Sequence, residues 1–432
     1  MRPGGRLTAA IEVLGDILER HRPAADALAD WGKAHRFAGS GDRAAIGNLV
    51  YDALRLRLST AHRMGRDTPR ALAIGVAASA WAMAPEAVLD LMTGLDHSPD
   101  PAGEDERHGV LGGAEMSDAA EHVRADVPDW LWPAFSASLG DAAVAEGAAL
   151  STRAPVDIRV NLLKAAREKV EKALGPFGAV PTPLSPVGLR IRPAEGTGRT
   201  ANVQAETAFQ KGQFEIQDEG SQIAALIAGA AHASSGQVLD LCAGGGGKSL
   251  ALAAQKGNRG QVFATDADRH RLAPIHERLK RAGARNVQVR PARAGALDDL
   301  EGRMDLVLID APCTGTGVWR RKPDAKWRLK PEALARRLAE QDAVLAEGAR
   351  FVRPGGRLCY VTCSLLEAEN GERIAQFLKG HTGFRPLAMA PLWQAALGAD
   401  APFPGTAEAV NLLLTPARTK TDGFFVAVIE RM

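Results

Sequence analysis

The sequence has few cysteines and no long apolar run, and neither sign of charge dominates. Its four cysteines all lie in the second half of the 432 residues and form no Cys-x-x-Cys pair. This pattern argues against a disulfide scaffold and against a zinc site, so we expect free thiols and no bound metal. The longest apolar stretch, residues 71–84, is shorter than the roughly 20 residues that a membrane helix needs.

Composition and charge indicate a multidomain globular protein. The chain has 53 basic and 51 acidic residues, so its net charge of +2 does not by itself indicate a nucleic-acid partner. Met1-Arg2-Pro3 is followed by a charged amphipathic stretch without the apolar core of a secretory signal. We therefore expect a cytoplasmic monomer of two or three domains with no membrane partner.

Residues 1–95 predict an all-α domain, because apolar side chains recur there at three- and four-residue spacing. The pattern then gives way to Pro, Gly and acidic residues, so we place an exposed linker at residues 96–125. Few contacts should cross such a linker, and we expect the chain to fold without residues 1–115. Two apolar stripes carry the helix prediction: Ile11, Leu14, Ile17 and Leu18, then Ile46, Leu49, Val50, Ala53 and Leu54.

The second half of the chain predicts two further domains. Residues 126–214 combine a Trp-rich helix start, a strand-like segment and six cations between positions 153 and 172, which indicates a small, basic α+β connecting domain. Residues 215–432 alternate apolar strands with helices, which indicates βαβ units and a Rossmann-like α/β domain with a parallel sheet. The predicted strands are residues 237–241, 261–265, 287–289, 306–309, 357–362 and 424–429.

A glycine-rich loop, Cys-Ala-Gly-Gly-Gly-Gly-Lys-Ser at residues 242–249, follows the first of these strands and leads into a helix. Glycines at a helix N-terminus let a ligand press against the backbone. A Walker A loop would need glycine where Cys242 stands, and a dinucleotide fingerprint starting at Gly244 is a weak match. S-adenosylmethionine fits best. Its candidate contacts are Cys242, Ala243, Gly244, Gly245, Gly246, Gly247, Lys248, Asp266, Ala292 and Asp310.

Asp266 is a second feature of the cofactor site. It lies 26 residues after Asp240, at the end of the second predicted strand, where a carboxylate can accept hydrogen bonds from both ribose hydroxyls. Open α/β sheets bind ligands beyond the carboxyl ends of their strands, so we expect Asp266, the glycine loop and Asp310 to converge. The alternative is that Asp266 caps the following helix, with Asp268 as a second capping candidate.

Two cysteines stand at positions that are usual for chemistry. Cys313 and Cys363 each follow the end of a predicted strand, whereas Cys359 lies in mid-strand and is typical of a small buried apolar residue. Asp310 ends the strand that precedes Cys313. The sequence therefore predicts a carboxylate and two thiols at the ends of neighbouring strands.

Several short motifs accompany these residues in a fixed order. They are residues 159–161 (Arg-Val-Asn), 217–222 (Gln-Asp-Glu-Gly-Ser-Gln), 310–313 (Asp-Ala-Pro-Cys) with 315–317 (Gly-Thr-Gly), 362–364 (Thr-Cys-Ser) with Glu369-Asn370, and 422–425 (Asp-Gly-Phe-Phe). Together they resemble the RsmB/Sun (Nop-type) family of S-adenosylmethionine-dependent RNA (cytosine-5)-methyltransferases. The N-terminal domain, with residues 42–44 and 49–51, more loosely resembles the NusB-like RNA-binding domain of the RsmB branch.

The resemblance implies a covalent mechanism, because carbon 5 of cytosine is too weakly nucleophilic to accept a methyl group directly. Cys363 is then the nucleophile that adds to carbon 6, Asp310 hydrogen-bonds the cytosine edge, and Cys313 assists release of the proton from carbon 5. Lys248 is a further catalytic candidate, acting on a thiol or on a phosphate. S-adenosylmethionine is the implied cofactor, and small-subunit (16S) ribosomal RNA is the implied substrate.

The chain departs from the family at the adenine end of the cofactor site. The family commonly has an acidic residue just after the third strand, but residues 289–293 read Val-Arg-Pro-Ala-Arg. We therefore expect the backbone around Ala292, or other groups, to contact the adenine in place of that carboxylate.

Local charge indicates where RNA would bind. Residues 319–328 interleave cations with tryptophans, a pattern that suits phosphate pairing and base stacking, and the alternative is a solvated basic helix. A second basic stretch, residues 271–290, is more typical of a helix's solvent face. The N-terminal domain adds candidate phosphate contacts at Arg36, Arg43, Arg55, Arg57, Arg63 and Arg66.

Other functions stay open at this point. Transfer RNA is compatible with the same chemistry. A ribosome-assembly factor with an inactive methyltransferase fold is a second alternative, although it would not need intact Asp310, Cys313 and Cys363. DNA cytosine methylation is disfavoured, because those enzymes use the Pro-Cys thiol as nucleophile and do not need a Thr-Cys-Ser motif.

Overall fold

The computed structural model describes residues 1–81, 83–232 and 235–432, which divide into two compact units. The first, here called the helical unit, comprises Met1–Ala154 together with Pro193–Thr200 and Val318–Leu329. The second, the sheet unit, is formed by the rest of the chain. Its segments are Pro155–Arg192, Ala201–Gly317 and Lys330–Met432.

The helical unit forms because its apolar residues recur at helical spacing. Leu14, Ile46 and Leu72 come from three different helices and are enclosed in one core. Thr68 caps a helix by accepting a hydrogen bond from the amide of Ala71 at 3.2 Å. The helices are α1 (Pro3–Arg20), α2 (Ala24–Ala34), α3 (Ser40–Arg55), α4 (Arg57–Met64), α5 (Pro69–Ser79), α6 (Pro85–Asp90), α7 (Glu104–Leu111), α8 (Glu121–Arg124), α9 (Trp132–Leu139), α10 (Ala143–Leu150) and, from the last segment, α17 (Pro323–Arg328).

The linker predicted at residues 96–125 is wrong. This region contains α7 and α8 and packs within the helical unit. Glu106 accepts a hydrogen bond from Arg70 at 2.7 Å, and the buried carboxylate of Asp126 accepts one from the amide of Leu58 at 2.8 Å. Glu106 thus serves as a partner for a group of the bundle, and so does Asp126, the residue that follows the predicted linker.

The basic, tryptophan-containing segment at residues 318–329 is not a free solvated helix. Lys326 Nζ donates a hydrogen bond to the carbonyl of Arg55 at 3.1 Å, and Trp327 Nε1 donates one to the carbonyl of Leu54 at 2.6 Å. Much of the pattern that predicted an RNA contact is therefore internal packing of the helical unit. The buried residues of the segment include Trp319, Arg320, Asp324 and Lys326.

The sheet unit contains two sheets. Its strands are β1 (Val156–Val160), β2 (Val180–Pro181), β3 (Gly188–Ile191), β4 (Phe214–Ile216), β5 (Gln237–Asp240), β6 (Gln261–Ala264), β7 (Val287–Val289), β8 (Met304–Asp310), β9 (Val352–Thr362), β10 (Phe384–Pro386), β11 (Asn411–Leu414) and β12 (Phe424–Arg431). The smaller sheet is antiparallel, in the order β2-β3-β1-β4. The larger runs β10-β12-β9-β8-β5-β6-β7, with β11 paired to β12. Strands β5 to β9 pair in parallel, and β12 joins β9 antiparallel.

Both faces of the larger sheet are covered by apolar cores. Successive side chains of its central strands point to opposite sides of the sheet and so enter different cores. In β8, Leu306 and Leu308 pack into one core and Val307 and Ile309 into another. The predicted strands are confirmed, although β8, β9 and β12 extend beyond their predicted bounds. None of the described helices combines the length and apolar character that crossing a bilayer requires. The helices here are α11 (Arg167–Ala173), α12 (Thr207–Gln210), α13 (Glu219–Ala230), α14 (Gly247–Gln255), α15 (Arg269–Leu272), α16 (Ile275–Ala282), α18 (Pro331–Phe351), α19 (Gly371–Gly380), α20 (Met389–Leu397) and α21 (Pro416–Thr419).

The connecting domain predicted at residues 126–214 is not a separate body. Its first part, up to Ala154, belongs to the helical unit, and most of the rest belongs to the sheet unit. The buried side chain of Asn161 donates hydrogen bonds to the carbonyls of Gly212 and Ala282, each at 2.8 Å. This amide joins the smaller sheet to the end of α16, which is why the two sheets form one unit.

Candidate active site

The carboxyl ends of the central strands of the larger sheet lie along one edge. Asp240 ends β5 and Asp310 ends β8, and these strands are parallel neighbours. Asp310 is also in register with Val361 of β9, so Cys363 follows directly at the adjacent strand end. This edge carries the glycine loop and the loops of both candidate thiols.

The glycine loop, residues 242–247, makes a tight turn between β5 and α14. Gly244 and Gly246 have φ angles of +50° and +80°, a region that favours glycine. A Cβ atom on Gly246 would also lie 2.5 Å from Cγ1 of Ile275. The loop therefore depends on the absence of side chains, as expected where a ligand must approach main-chain amides.

Asp266 is buried and braces the glycine loop. Its carboxylate accepts hydrogen bonds from the amide of Gly244 and from the amide of Asp268, each at 2.8 Å. The capping position of α15 is occupied by Asp268, whose carboxylate accepts a hydrogen bond from the amide of His270 at 2.8 Å. The helix-cap alternative for Asp266 therefore does not describe this carboxylate, which faces the loop instead.

Two arginines hold the glycine loop from behind. Arg159 Nη1 donates to the carbonyl of Gly247 at 2.7 Å, and Arg278 Nη1 donates to the carbonyl of Gly245 at 2.6 Å. Burial lowers the pKa of Arg159 to about 10, so the guanidinium stays charged at neutral pH. The prediction that Arg278 belongs to a solvent-facing surface is wrong, because it pairs with the buried Glu215 at 2.9 Å.

A cavity of about 860 Å³ lies beside the glycine loop. This volume is within the usual range for small-molecule sites, so a nucleoside with an amino-acid tail fits. Its lining includes three residues that the sequence analysis assigned to the cofactor: Cys242, Asp266 and Ala292. Among the described residues, the segment after β7 contributes no carboxylate to this lining. Glu340 and Glu347 of α18 do face the cavity. The sequence pattern did not predict these two carboxylates.

Lys248 and Asp310 form an ion pair, with Nζ 2.6 Å from Oδ2. The lysine side chain is only 7% exposed, whereas that of Asp310 is 36% exposed. Nζ also lies 5.5 Å from the ring centre of Phe424. The pair thus presents an accessible carboxylate that an enclosed positive charge holds in place, an arrangement suited to accepting hydrogen bonds from a polar ligand edge.

The structure brings Cys313 and Cys363 together, with their Sγ atoms 3.3 Å apart. The hydrogen bond with Cys363, and then burial, raise the pKa of the Cys313 thiol well above its usual value. A raised pKa disfavours the thiolate form, so the Cys313 thiol stays protonated at neutral pH. Cys359 lies buried in mid-strand, where burial raises its pKa to about 12, as expected for a structural cysteine.

Glu369 links the two cysteine-bearing loops, a role that the sequence analysis did not assign. Its Oε1 accepts hydrogen bonds from the amide of Thr314 at 2.8 Å and from Nε2 of Gln341 at 3.0 Å. Its Oε2 accepts hydrogen bonds from the hydroxyls of Thr314 and Ser364. The available signal was its place in the same motif as Cys363.

Comparison with known proteins identifies the family. The family model for 16S rRNA methyltransferase RsmB/F matches residues 230–430. The chain is 32% identical over 328 residues to ribosomal RNA small subunit methyltransferase B of Sodalis glossinidius, covering 74% of this chain and 68% of that one. The chain belongs to the RsmB/F family of 16S rRNA methyltransferases. The resemblance drawn from its motifs is thereby confirmed, and so is S-adenosylmethionine as the cofactor.

Solved structures share the fold of this chain, and further relatives carry the same family name. The superposition on the crystal structure of PH0851 covers 100% of this chain and 99% of that chain, with a TM-score of 0.72 and 25% sequence identity. NSun6 from Pyrococcus horikoshii with SFG shares the fold over 70% of this chain and 98% of its own, at a TM-score of 0.60 and 21% identity. The alignments span just under two thirds of the probable ribosomal RNA small subunit methyltransferases B of Synechocystis and Bacillus subtilis, 66% and 62% respectively.

Proposed function

We propose that this RsmB/F-family protein transfers a methyl group from S-adenosylmethionine to carbon 5 of a cytosine in small-subunit ribosomal RNA, in the cytoplasm. One observation carries the proposal. Cys363 and Cys313 lie 3.3 Å apart, at the same sheet edge as the Asp310–Lys248 ion pair and the glycine loop. Two adjacent thiols beside an accessible carboxylate are what a two-stage addition and elimination on cytosine requires.

In the first stage, Cys363 releases its proton to solvent and its thiolate sulfur bonds to carbon 6 of the cytosine, while the electron pair of the double bond between carbons 5 and 6 moves onto carbon 5. The Asp310 carboxylate accepts a hydrogen bond from the exocyclic amine and so holds the edge of the base in place. Lys248 keeps this carboxylate oriented through the 2.6 Å ion pair. Carbon 5 then becomes the nucleophile for the methyl group that S-adenosylmethionine supplies when bound.

In the second stage, carbon 5 carries both the new methyl group and its original proton. Removal of that proton returns an electron pair to the bond between carbons 5 and 6, and the bond from carbon 6 to the sulfur of Cys363 breaks. Cys313 lies next to the departing sulfur and assists the proton release. Because the pKa of Cys313 is raised, this thiol must release its own proton to solvent before its sulfur can accept the proton from carbon 5.

We infer that the helical unit is a NusB-like RNA-binding domain, but its charged surface is smaller than the sequence suggests. Arg55 pairs with Asp52 at 2.8 Å, and Arg57 pairs with Asp67 at 2.8 Å. Arg66 pairs with Asp105, and Arg43 donates to the carbonyl of Ala38. In the described part of the chain, the candidate phosphate contacts without an ion-pair partner or side-chain hydrogen bond are Arg36 and Arg63.

Bisulfite sequencing tests the proposal. A strain lacking the gene would be complemented with the wild type, with Cys363→Ala, or with Cys359→Ala, in which a buried thiol outside the site is removed. We expect one small-subunit ribosomal cytosine to read as methylated with the wild type and with Cys359→Ala, and as unmethylated with Cys363→Ala. Loss of methylation in a transfer RNA would instead support the transfer-RNA alternative. Methylation restored by Cys363→Ala would contradict the assigned nucleophile, whereas a strain that lacks the gene but keeps every cytosine methylated would favour a role in ribosome assembly.

A further inference from the structure

We propose that Glu369 is a positioning residue that determines which of the two cysteines attacks the base. It ties the Cys313 loop to the Cys363 loop and holds Cys313 in its protonated form. The inference rests on the proposed function for the role given to Cys363. Its test uses no methyl transfer, so the two ideas can fail separately.

Glu369 is fully buried, with an exposure of 0%, and burying its carboxylate costs free energy. A buried carboxylate is tolerated only when donors satisfy its oxygens. Glu369 meets this condition with neutral groups: the amide and hydroxyl of Thr314, the hydroxyl of Ser364 and the side-chain amide of Gln341. Among the described residues, no cation pairs with it, so its negative charge acts on the groups around it without local neutralisation.

The hydroxyls of Thr314 and Ser364, which donate to Glu369, act as tethers between it and the two cysteine loops. Thr314 is the residue after Cys313, and Ser364 is the residue after Cys363. Gln341 reinforces the link, because its Nε2 also donates to the carbonyl of Pro312 at 2.9 Å. One carboxylate thus holds the residue that follows each cysteine, and the two sulfurs lie 3.3 Å apart.

The charges around Cys313 affect the pKa of its thiol. The titratable groups that face it, among the described residues, are Cys363, Glu369 and the phenol of Tyr360. The pKa of Cys313 is raised by its hydrogen bond to Cys363, by burial, and by the negative charges of Cys363 and Glu369. Burial raises the pKa of Tyr360 well above its usual value, so the phenol stays neutral. The carboxylate of Glu369 thus adds to the hydrogen bond with Cys363 and to burial in disfavouring the Cys313 thiolate, and it is held in place by both cysteine loops.

Site-resolved alkylation of the full-length protein tests this. Iodoacetamide would be applied between pH 6 and 10, with the modification of Cys313 and Cys363 quantified separately by mass spectrometry. Glu369→Gln removes the charge and keeps the shape, whereas Thr314→Val and Ser364→Ala keep the charge and each cut one tether. Thr419→Val, which removes a buried hydroxyl elsewhere, is the matched control.

We expect Glu369→Gln to lower the pH midpoint for Cys313 alkylation by about half a unit or more, because a nearby charge that disfavours the thiolate is gone. The preference for Cys363 over Cys313 should fall roughly threefold or more at fixed pH. Thr419→Val should leave the Cys313 midpoint unchanged, and Thr314→Val and Ser364→Ala, which keep the carboxylate, should lower it less than Glu369→Gln does. An unchanged midpoint in Glu369→Gln would overturn the electrostatic role.

A second measurement tests whether Glu369 holds the two cysteines close together, and it does not require that Glu369→Gln folds. Phenylarsine oxide bridges two thiols that lie close together, so the wild type should bind one equivalent through Cys313 and Cys363. The double variant Thr314→Val/Ser364→Ala should bind it at least about tenfold more weakly, which corresponds to about 1.4 kcal/mol. Equal binding by the double variant and the wild type would show that Glu369 does not position the pair.

Discussion

At the scale of single residues, Cys313 and Cys363 are the same chemical group in different surroundings, and substitution separates their roles. We predict that Cys313→Ala still allows attack on the base but slows release, so a covalent protein–RNA adduct accumulates. The slower-migrating band should be visible on a denaturing gel with labelled RNA. The band should be absent from Cys363→Ala and from the double variant, since carbon 6 then has no attacking sulfur. An adduct in Cys363→Ala alone would reverse the two assignments.

Asp266 and Asp268 offer a matched pair for the cofactor site, since one braces the glycine loop and the other caps α15. We predict that Asp266→Ala weakens S-adenosylmethionine binding by about 1–3 kcal/mol, the usual cost of losing charge-assisted hydrogen bonds. Asp268→Ala should change cofactor affinity much less while lowering thermal stability slightly. Titration calorimetry measures both. Equal affinities for Asp266→Ala and the wild type would leave Asp266 with only a structural role.

Single residues also show how far sequence reasoning reaches. Asp266, Cys313 and Cys363 could be predicted, because the end of a strand is a local feature and parallel strands bring their ends together. Arg159 and Glu369 could not, because their partners lie on loops far away in the sequence or depend on burial. A cation in a basic run and a carboxylate in a motif carry no local sign that they are enclosed.

At the scale of elements, strands were predictable and surface segments were not. Apolar periodicity identifies a strand whatever it packs against, which is why β5 to β9 agree with prediction. Charge does not identify exposure, because a charged side chain can find its partner on a distant element of the fold. Glu106, in the predicted linker at residues 96–125, pairs with Arg70, and Lys326, in the basic segment at residues 319–328, donates to the carbonyl of Arg55.

Lys326 in α17 makes the burial of that segment measurable. Burial lowers its pKa from 10.5 to about 8. Between these pH values the unfolded chain binds the proton and the folded chain does not, so stability rises with pH across that window and the gain is lost as pH falls to 8. We predict that Lys326→Met removes this rise, on the order of 1–3 kcal/mol. Denaturant unfolding followed by tryptophan fluorescence at pH 8 and pH 10.5 measures it, with the exposed Lys322→Met as control. Equal pH dependence in Lys326→Met and the wild type would mean that Lys326 is solvated.

At the scale of the whole molecule, deleting residues 1–115 should not leave a well-folded protein, contrary to the expectation from the sequence. The deletion removes Leu14, Ile46 and Leu72 from the core of the helical unit. It also removes the carbonyls of Leu54 and Arg55, which receive hydrogen bonds from the segment at residues 318–329. We predict aggregation, or rapid proteolysis at the cations of that segment, in limited digestion beside the full chain. A soluble, protease-resistant fragment would contradict this prediction.

RNA binding by the helical unit therefore has to be tested with point variants rather than by truncation. If this unit contacts phosphates, each contact releases counterions, and the logarithm of the affinity falls with the logarithm of salt concentration. Replacing Arg36 and Arg63 with alanine should reduce that slope by about 1–2 and weaken binding to all sequences alike. Arg20→Ala is the matched control, because Arg20 is exposed on the same unit but pairs with Asp16. Filter binding to a small-subunit ribosomal RNA transcript from 50 to 300 mM salt would measure the slopes. A double variant with the wild-type slope and affinity would show that the helical unit does not bind RNA through these arginines, and a structural role or a protein partner would then be the better interpretation.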